Sequence, residues 1–155
     1  METNSELNLN ESGNLKLPPH SLEAEESALG SMMLSKEAIT SSIEILKIED
    51  FYQDAHRKIY DAILNIYNRN EPADVITIAE ELKKTDSLEE VGGITYLADL
   101  SSNVTAVSNI KSYCNIIKEK GILRELIDAS DKIISASNSP DAKADLIIEL
   151  AEKSV

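Results

Sequence analysis

Tryptophan is absent from the 155 residues, and phenylalanine and cysteine occur once each. So poor an aromatic content suits helices packed through small aliphatic side chains better than a β-sandwich, whose strands draw on aromatic and β-branched residues. Cys114 has no second cysteine to pair with and anchors no metal site, so its expected role is that of a small buried thiol. No apolar run approaches the roughly 18 residues of a membrane span, so the expected location is cytoplasmic, with no membrane partner. Basic residues are also scarce: 15 Lys and Arg stand against 28 Asp and Glu, for a net charge of −13. Such a surface repels phosphate backbones, which argues against direct nucleic-acid binding by this chain alone. It permits a basic protein partner. The sequence holds no GxxxxGK[ST], GxGxxG, HExxH or GxSxG pattern, so it supplies no phosphate cradle, zinc-protease helix or nucleophile elbow. No catalytic, cofactor-binding or metal-ligating residues are expected. What remains is a helical interaction module.

What is present centres on Asn109–Ser137, a stretch with one glycine and no proline. Its apolar residues recur at helical spacing and predict one long helix. Ile116, Leu123, Ile127 and Ile134 fall on one line along it, and Ile122, Leu126 and Ile133 on a second. Together the lines span about 140°, wider than one helical partner covers. Ile117 points away from both lines and is the expected control for contacts made by them. A turn at Ser139-Pro140 should cap a short returning helix that carries Leu146 and Leu150. One short helix does not cover so wide a stripe, so an apolar face is left for another chain. Ile122, Leu123, Leu126, Ile134, Leu146 and Leu150 are the candidate hairpin and dimer-interface residues.

The preceding residues divide into a polar tail, 1–17, and a head of about five short helices, 18–103, ahead of the hairpin at 108–155. Residues 1–17 show no apolar periodicity and should be disordered. Ser21 is placed to cap the first helix, on which Glu25 lies between Leu29 and Met32, on the apolar face. A carboxylate there needs a way out to water or a buried partner. The expected partner is His56, on the edge of the Ala55–Ile59–Ile63–Ile66 stripe, with Arg57 an alternative. Capping boxes are predicted at Asp50–Gln53 and Thr77–Glu80, with LEEVGG closing the helix that the second one starts. Ser108 should cap the long helix. The fold class expected is all-α: a small multi-helix globular head followed by an antiparallel helical hairpin.

Seven blocks, in order, carry a resemblance: LPPHSLEAEESALGSMML, DFYQDAHRKIYDAI, EPADVITIAEEL, VGGITYLADL, NVTAVSNIKSYCNIIKEK, ILRELI and DLIIELAEKSV. Together they resemble the N-terminal domain of the DnaB-type bacterial replicative DNA helicases. The resemblance implies a collar in which hairpins pair into dimers and three dimers close over a hexameric ring. It implies docking of the C-terminal domain of a DnaG-type primase, and engagement of the helicase by loader proteins. The positions matching the family's primase contacts are Tyr96, Ile127 and Ile133. ATP and Mg2+ are expected only in the family's C-terminal domain, not here. Gly121 stands where the family usually has a small non-glycine residue, which should soften the long helix by about 1 kcal/mol relative to alanine. Two other readings use the same hairpin: a structural collar that never touches primase, and a stand-alone regulator that docks on the helicase.

Overall fold

The computed structural model describes residues 17–154; apart from Leu17, the polar tail lies outside the described residues. Eight α-helices follow in order, with no strand among the described residues. They are α1 (Leu22–Leu34), α2 (Lys36–Ile45), α3 (Asp54–Asn68), α4 (Val75–Lys83), α5 (Leu88–Val91), α6 (Gly93–Ser102), α7 (Ile110–Ser137) and α8 (Ala144–Ser154). Short 3-10 turns at Ile48–Asp50 and Val107–Asn109 join α2 to α3 and α6 to α7.

The head is built around α1, which packs on α2, α3, α6 and α7. Small residues let these axes approach: a Cβ at Gly30 would overlap the Leu100 carbonyl oxygen of α6. Phe51, Tyr60, Ile59, Ile63, Ile66, Leu29, Met32, Ile78 and Leu97 fill the interior. Each large side chain withdrawn from water in this way contributes about 1.5–3 kcal/mol before the entropy cost of ordering it.

Caps decide where helices begin and end. The Ser21 hydroxyl accepts from the Ala24 amide at 3.2 Å, and Ser35 serves α2 in the same way. Asn70 and Asp86 adopt positive φ (58° and 54°) and terminate α3 and α4. In each case the following residue's amide returns to a carbonyl five positions back, Glu71 to Ile66 at 3.2 Å and Ser87 to Leu82 at 2.9 Å. Asn and Asp tolerate the left-handed region better than most residues.

Several local expectations are corrected. The box at the start of α4 is Asp74–Thr77, reciprocal at 2.9 Å each way, so the helix starts ahead of Thr77. It ends at Lys83, and LEEV forms its own turn of helix because Asp86 breaks the chain first; the head therefore has six α-helices. Asp50 does not cap α3, since its carboxylate turns back to the Lys47 amide at 2.9 Å. The long helix is preceded by Asn109 without a side-chain cap, Ser108 lying in the 3-10 turn. Ser139 and Pro140 sit in the hairpin turn, ahead of α8.

The largest correction concerns α7. Ile110, Cys114, Ile117 and Gly121 recur at four-, three- and four-residue spacing and are buried against the head. Ile117 is 1% exposed, so it is a core residue and not a neutral control for the outer lines. The first half of α7 thus belongs to the head, and only its second half stands out as a hairpin with α8.

Candidate protein-docking face

The face that the buried row leaves outward is apolar. Ile116, Ile122, Leu123, Leu126, Ile127 and Ile134 lie along α7 with exposures from 38% (Leu123) to 57% (Ile134). Leu146 and Ile148 add to the exposed apolar surface on α8. Leu150 is half-buried, as are Ile133, Ala136 and Ile147, while Ala129 is buried. The two predicted lines therefore separate: Ile133 contributes to the closure of the hairpin, and the other six residues of the lines are open. Contiguous apolar surface of this kind marks an interaction site.

Where the hairpin leaves the head, a groove runs between them, lined by Pro18, Tyr52, Arg57, Arg124, Ile127 and Asp128 among others. Arg124 donates to the Pro19 carbonyl at 2.7 Å and the Asp50 carbonyl at 2.6 Å. Its guanidinium lies 5.7 Å from the centre of the Tyr52 ring, which stacks on His20 at 4.2 Å. Arg57 is tied to the Phe51 and Glu49 carbonyls and is not the partner of Glu25.

Glu25 is 1% exposed and His56 2%. His56 Nδ1 lies 2.8 Å from Glu25 Oε1, and the same carboxylate accepts the Tyr52 and Gln53 amides at 2.9 and 3.3 Å. Glu25 therefore holds the lead-in to α3, whose first-turn amides have no carbonyl to use. A carboxylate only accepts, so Nδ1 carries the proton of that bond. His56 Nε2 then meets the Tyr96 hydroxyl at 2.6 Å. Burial, followed by the charges of Glu26 and Glu25, pushes the Tyr96 hydroxyl up to about 12.

Tyr96 faces a different depression from Ile127, one lined by Glu23, Glu26, Ser27, Asp99 and Asn103. The structure thus gathers Glu25, His56 and Tyr96 into one buried chain, but does not bring Tyr96, Ile127 and Ile133 into one groove. Cys114 donates to the Ser42 hydroxyl at 3.4 Å, and burial raises its pKa, opposite to what a nucleophilic thiol needs. Among the described residues no group of three or more His, Cys, Asp or Glu is placed to hold a metal ion. No helix among them is long and apolar enough to cross a membrane.

Sequence reasoning missed the junction of Asp50, Lys118, Gly121 and Arg124. The buried Asp50 carboxylate takes the Lys118 ammonium at 3.0 Å. A Cβ at Gly121 would stand 2.8 Å from Asp50 Oδ1. The signal available was the spacing of three that puts Lys118, Gly121 and Arg124 on successive turns of one side.

Residues 17–119 match the family described as the DnaB-like helicase N-terminal domain. The chain belongs to this family. It is 41% identical over 92% of its length to the replicative DNA helicase DnaC of Bacillus subtilis, covering 31% of that protein. It is 36% identical over 90% of its length to the replicative DNA helicase DnaB of Geobacillus stearothermophilus, again covering 31%. The chain thus spans about a third of these relatives. The crystal structure of the N-terminal domain of DnaB helicase from Mycobacterium tuberculosis superposes with a TM-score of 0.83 at 39% identity, covering 89% of this chain and 97% of that one. A structure described as a DnaB-like replicative helicase and its interactions with primase gives 0.68 at 26% identity, covering 84% of this chain and 30% of that one. A DnaB-type N-terminal domain accounts for the whole described architecture, head and hairpin together.

Proposed function

We propose that this DnaB-type domain is the collar part of a replicative DNA helicase, joining subunits through its hairpin and docking primase during DNA replication. The observation that carries the reading is the row of open isoleucines and leucines from Ile116 to Ile134, on a domain whose head core is already closed without them. In this reading the second half of α7 pairs with its copy about a two-fold axis. Three such pairs make the collar of a hexameric ring. ATP and Mg2+ belong to a C-terminal ATPase domain, and the protein works in the cytoplasm, where a loader can also engage the ring.

The likeness to a helicase described with its interactions with primase supports a DnaG-type primase as the second partner. Ile127 is the best-placed contact, being 46% exposed at the lip of the junction groove. Ile133 lies about 9 Å further along the axis and serves the hairpin closure as well. The test is a fluorescence-anisotropy titration of the C-terminal domain of a DnaG-type primase against the parent chain and Ile127→Ala. A contact of this kind is expected to lose about 1–2 kcal/mol of binding on truncation, with an unchanged melting temperature. No binding by the parent chain would overturn primase docking and leave the structural collar.

A further inference from the structure

We propose that the Lys47–Asp50 turn and the Pro18–Pro19 lead-in form a socket that fixes the direction in which α7 leaves the head, with Asp50 as its positioning residue. This goes beyond partner docking and does not depend on it.

The long helix is a 28-residue rod held by the head only at one end. Its buried contacts with the head run from Ile110 to Gly121, and the last tie is made by the turn that carries Lys118, Gly121, Arg124 and Glu125. A rod held in this way swings at its free end unless its exit is clamped. From Gly121 to Ser137 is about 24 Å at 1.5 Å per residue, so a tilt of about 10° moves the far end by about 4 Å.

The clamp is made by two head segments far apart in sequence. Asp50, 1% exposed, uses one carboxylate oxygen twice, taking the Lys47 amide at 2.9 Å and the Lys118 ammonium at 3.0 Å. Its own turn therefore does not relax without loosening its grip on α7. Its carbonyl oxygen takes Arg124 Nη2 at 2.6 Å, while Nη1 of the same guanidinium reaches the Pro19 carbonyl at 2.7 Å. A planar guanidinium holding two carbonyls fixes an angle as well as a distance. Lys47 Nζ closes the outer edge on Glu125 at 2.8 Å. Between these ties Gly121 presents bare backbone to Asp50, whose own side chain is pinned by Lys47 and Lys118, so little give is left at the contact.

The experiment uses spin labels on the full chain at Asn65→Cys, on the exposed side of α3, and Ser137→Cys, at the far end of α7. The background is Cys114→Ser, with labelled chains diluted into unlabelled ones. Electron–electron dipolar spectroscopy then reads the head-to-hairpin distance. The parent is expected to give one narrow distance. Asp50→Asn and Arg124→Gln are each expected to shift or widen it on the ångström scale just given, with helical circular dichroism unchanged. Lys132→Gln, on the exposed far part of α7, should leave it as in the parent. If Asp50→Asn fails to fold, Arg124→Gln decides alone, because Arg124 is half-buried and outside the head core. A parental distance in Arg124→Gln, or in both variants, overturns the socket.

Discussion

Gly121 lies so close over Asp50 that a Cβ there would stand 2.8 Å from Oδ1 and 3.3 Å from the Asp50 Cα. A glycine inside a helix costs about 1 kcal/mol relative to alanine, so propensity alone favours replacing it. Contact decides otherwise. Asp50 is held by the Lys47 amide and by Lys118, and the Cα it presents is backbone. Beside the softening expected of it, Gly121 has a second role: it is the residue that lets α7 reach the head.

Gly121→Ala is accordingly expected to lower stability despite the better helix former. Overpacking of about 1–3 kcal/mol should outweigh the propensity gain. Urea denaturation gives the sign directly. A midpoint above that of the parent would mean that the Lys47–Asp50 turn yields to the extra methyl.

Glu25 supports a second prediction. Its carboxylate accepts from His56, from the Tyr52 amide and from the Gln53 amide. Glu25→Ala leaves those donors without an acceptor in a closed interior, which should cost about 1–3 kcal/mol. Glu25→Gln should not restore stability, because both carboxylate oxygens face donors and an amide offers one oxygen and one NH2. Chemical denaturation of the two variants checks this. A glutamine variant as stable as the parent would show that the site needs shape and not acceptors.

The sequence made the head legible wherever helix boundaries follow from apolar period and short-range caps, as at Ser21 and along Ile59, Ile63 and Ile66. It also marked Glu25, because one carboxylate on an apolar face demands an explanation. The boundaries that misled were those where two candidate caps compete a few residues apart, as with Asp74 against Thr77. There the reciprocal bonds between Asp74 and Thr77 choose, and they make Thr77 the third residue of the box and not its first. On α7 the two bulky lines drew attention from a third, Ile110–Cys114–Ile117–Gly121, whose cysteine and glycine carry little hydropathy. That weak line faces the head, and the strong lines, Ile133 apart, face outward. A stripe built for a partner and a stripe built for the core look alike in one dimension.

Glu81 gives a pH dependence. Arg69 first, then Lys84, holds its carboxyl down to about 2 from an ordinary 4.5. A folded-state pKa below the unfolded one means stability that is fully present above about 4.5 and lost as pH falls through about 2. Glu81→Gln should therefore be less stable than the parent at pH 7, and the gap should close between those two values. The site is near the surface, so the gap at neutral pH is expected to be about 0.5–1 kcal/mol and to shrink with added salt. Thermal melts of both proteins over that pH range measure it. A gap that persists at pH 2 would assign it to packing and not to charge.

Self-association tests the open face itself. Leu126→Glu or Ile134→Glu puts a charge among apolar side chains without touching the head. Either is expected to abolish concentration-dependent dimers in sedimentation equilibrium while leaving the melt unchanged. Lys132→Ala is the control, since Lys132 is exposed and lies off the apolar lines. Ile117 is no control: at 1% exposure its truncation should cost about 2–5 kcal/mol of stability. A parent chain that stays monomeric at high concentration would place the drive for assembly outside this face.

Tyr96 gives the sharpest separation of fold from function. Its hydroxyl is committed to His56 Nε2 at 2.6 Å, and through that ring to Glu25. Tyr96→Phe keeps the ring but removes a partner from a buried imidazole, which should cost about 1–3 kcal/mol of stability. If a primase domain reads the ring alone, Tyr96→Phe binds as the parent does, and Tyr96→Ala binds more weakly. If Tyr96 is purely structural, both variants bind as the parent does at temperatures where they remain folded, and both melt earlier. Tyr96 lines a depression of the head rimmed by Glu23, Glu26 and Asp99, apart from the groove that holds Ile127. Losses from Tyr96→Ala and Ile127→Ala should therefore be additive if a partner spans both sites, as they are for residues without shared contacts. The titrations are run with each single variant and the double. Loss of binding with Ile127→Ala but not with Tyr96→Ala would confine the contact to the hairpin side of the domain.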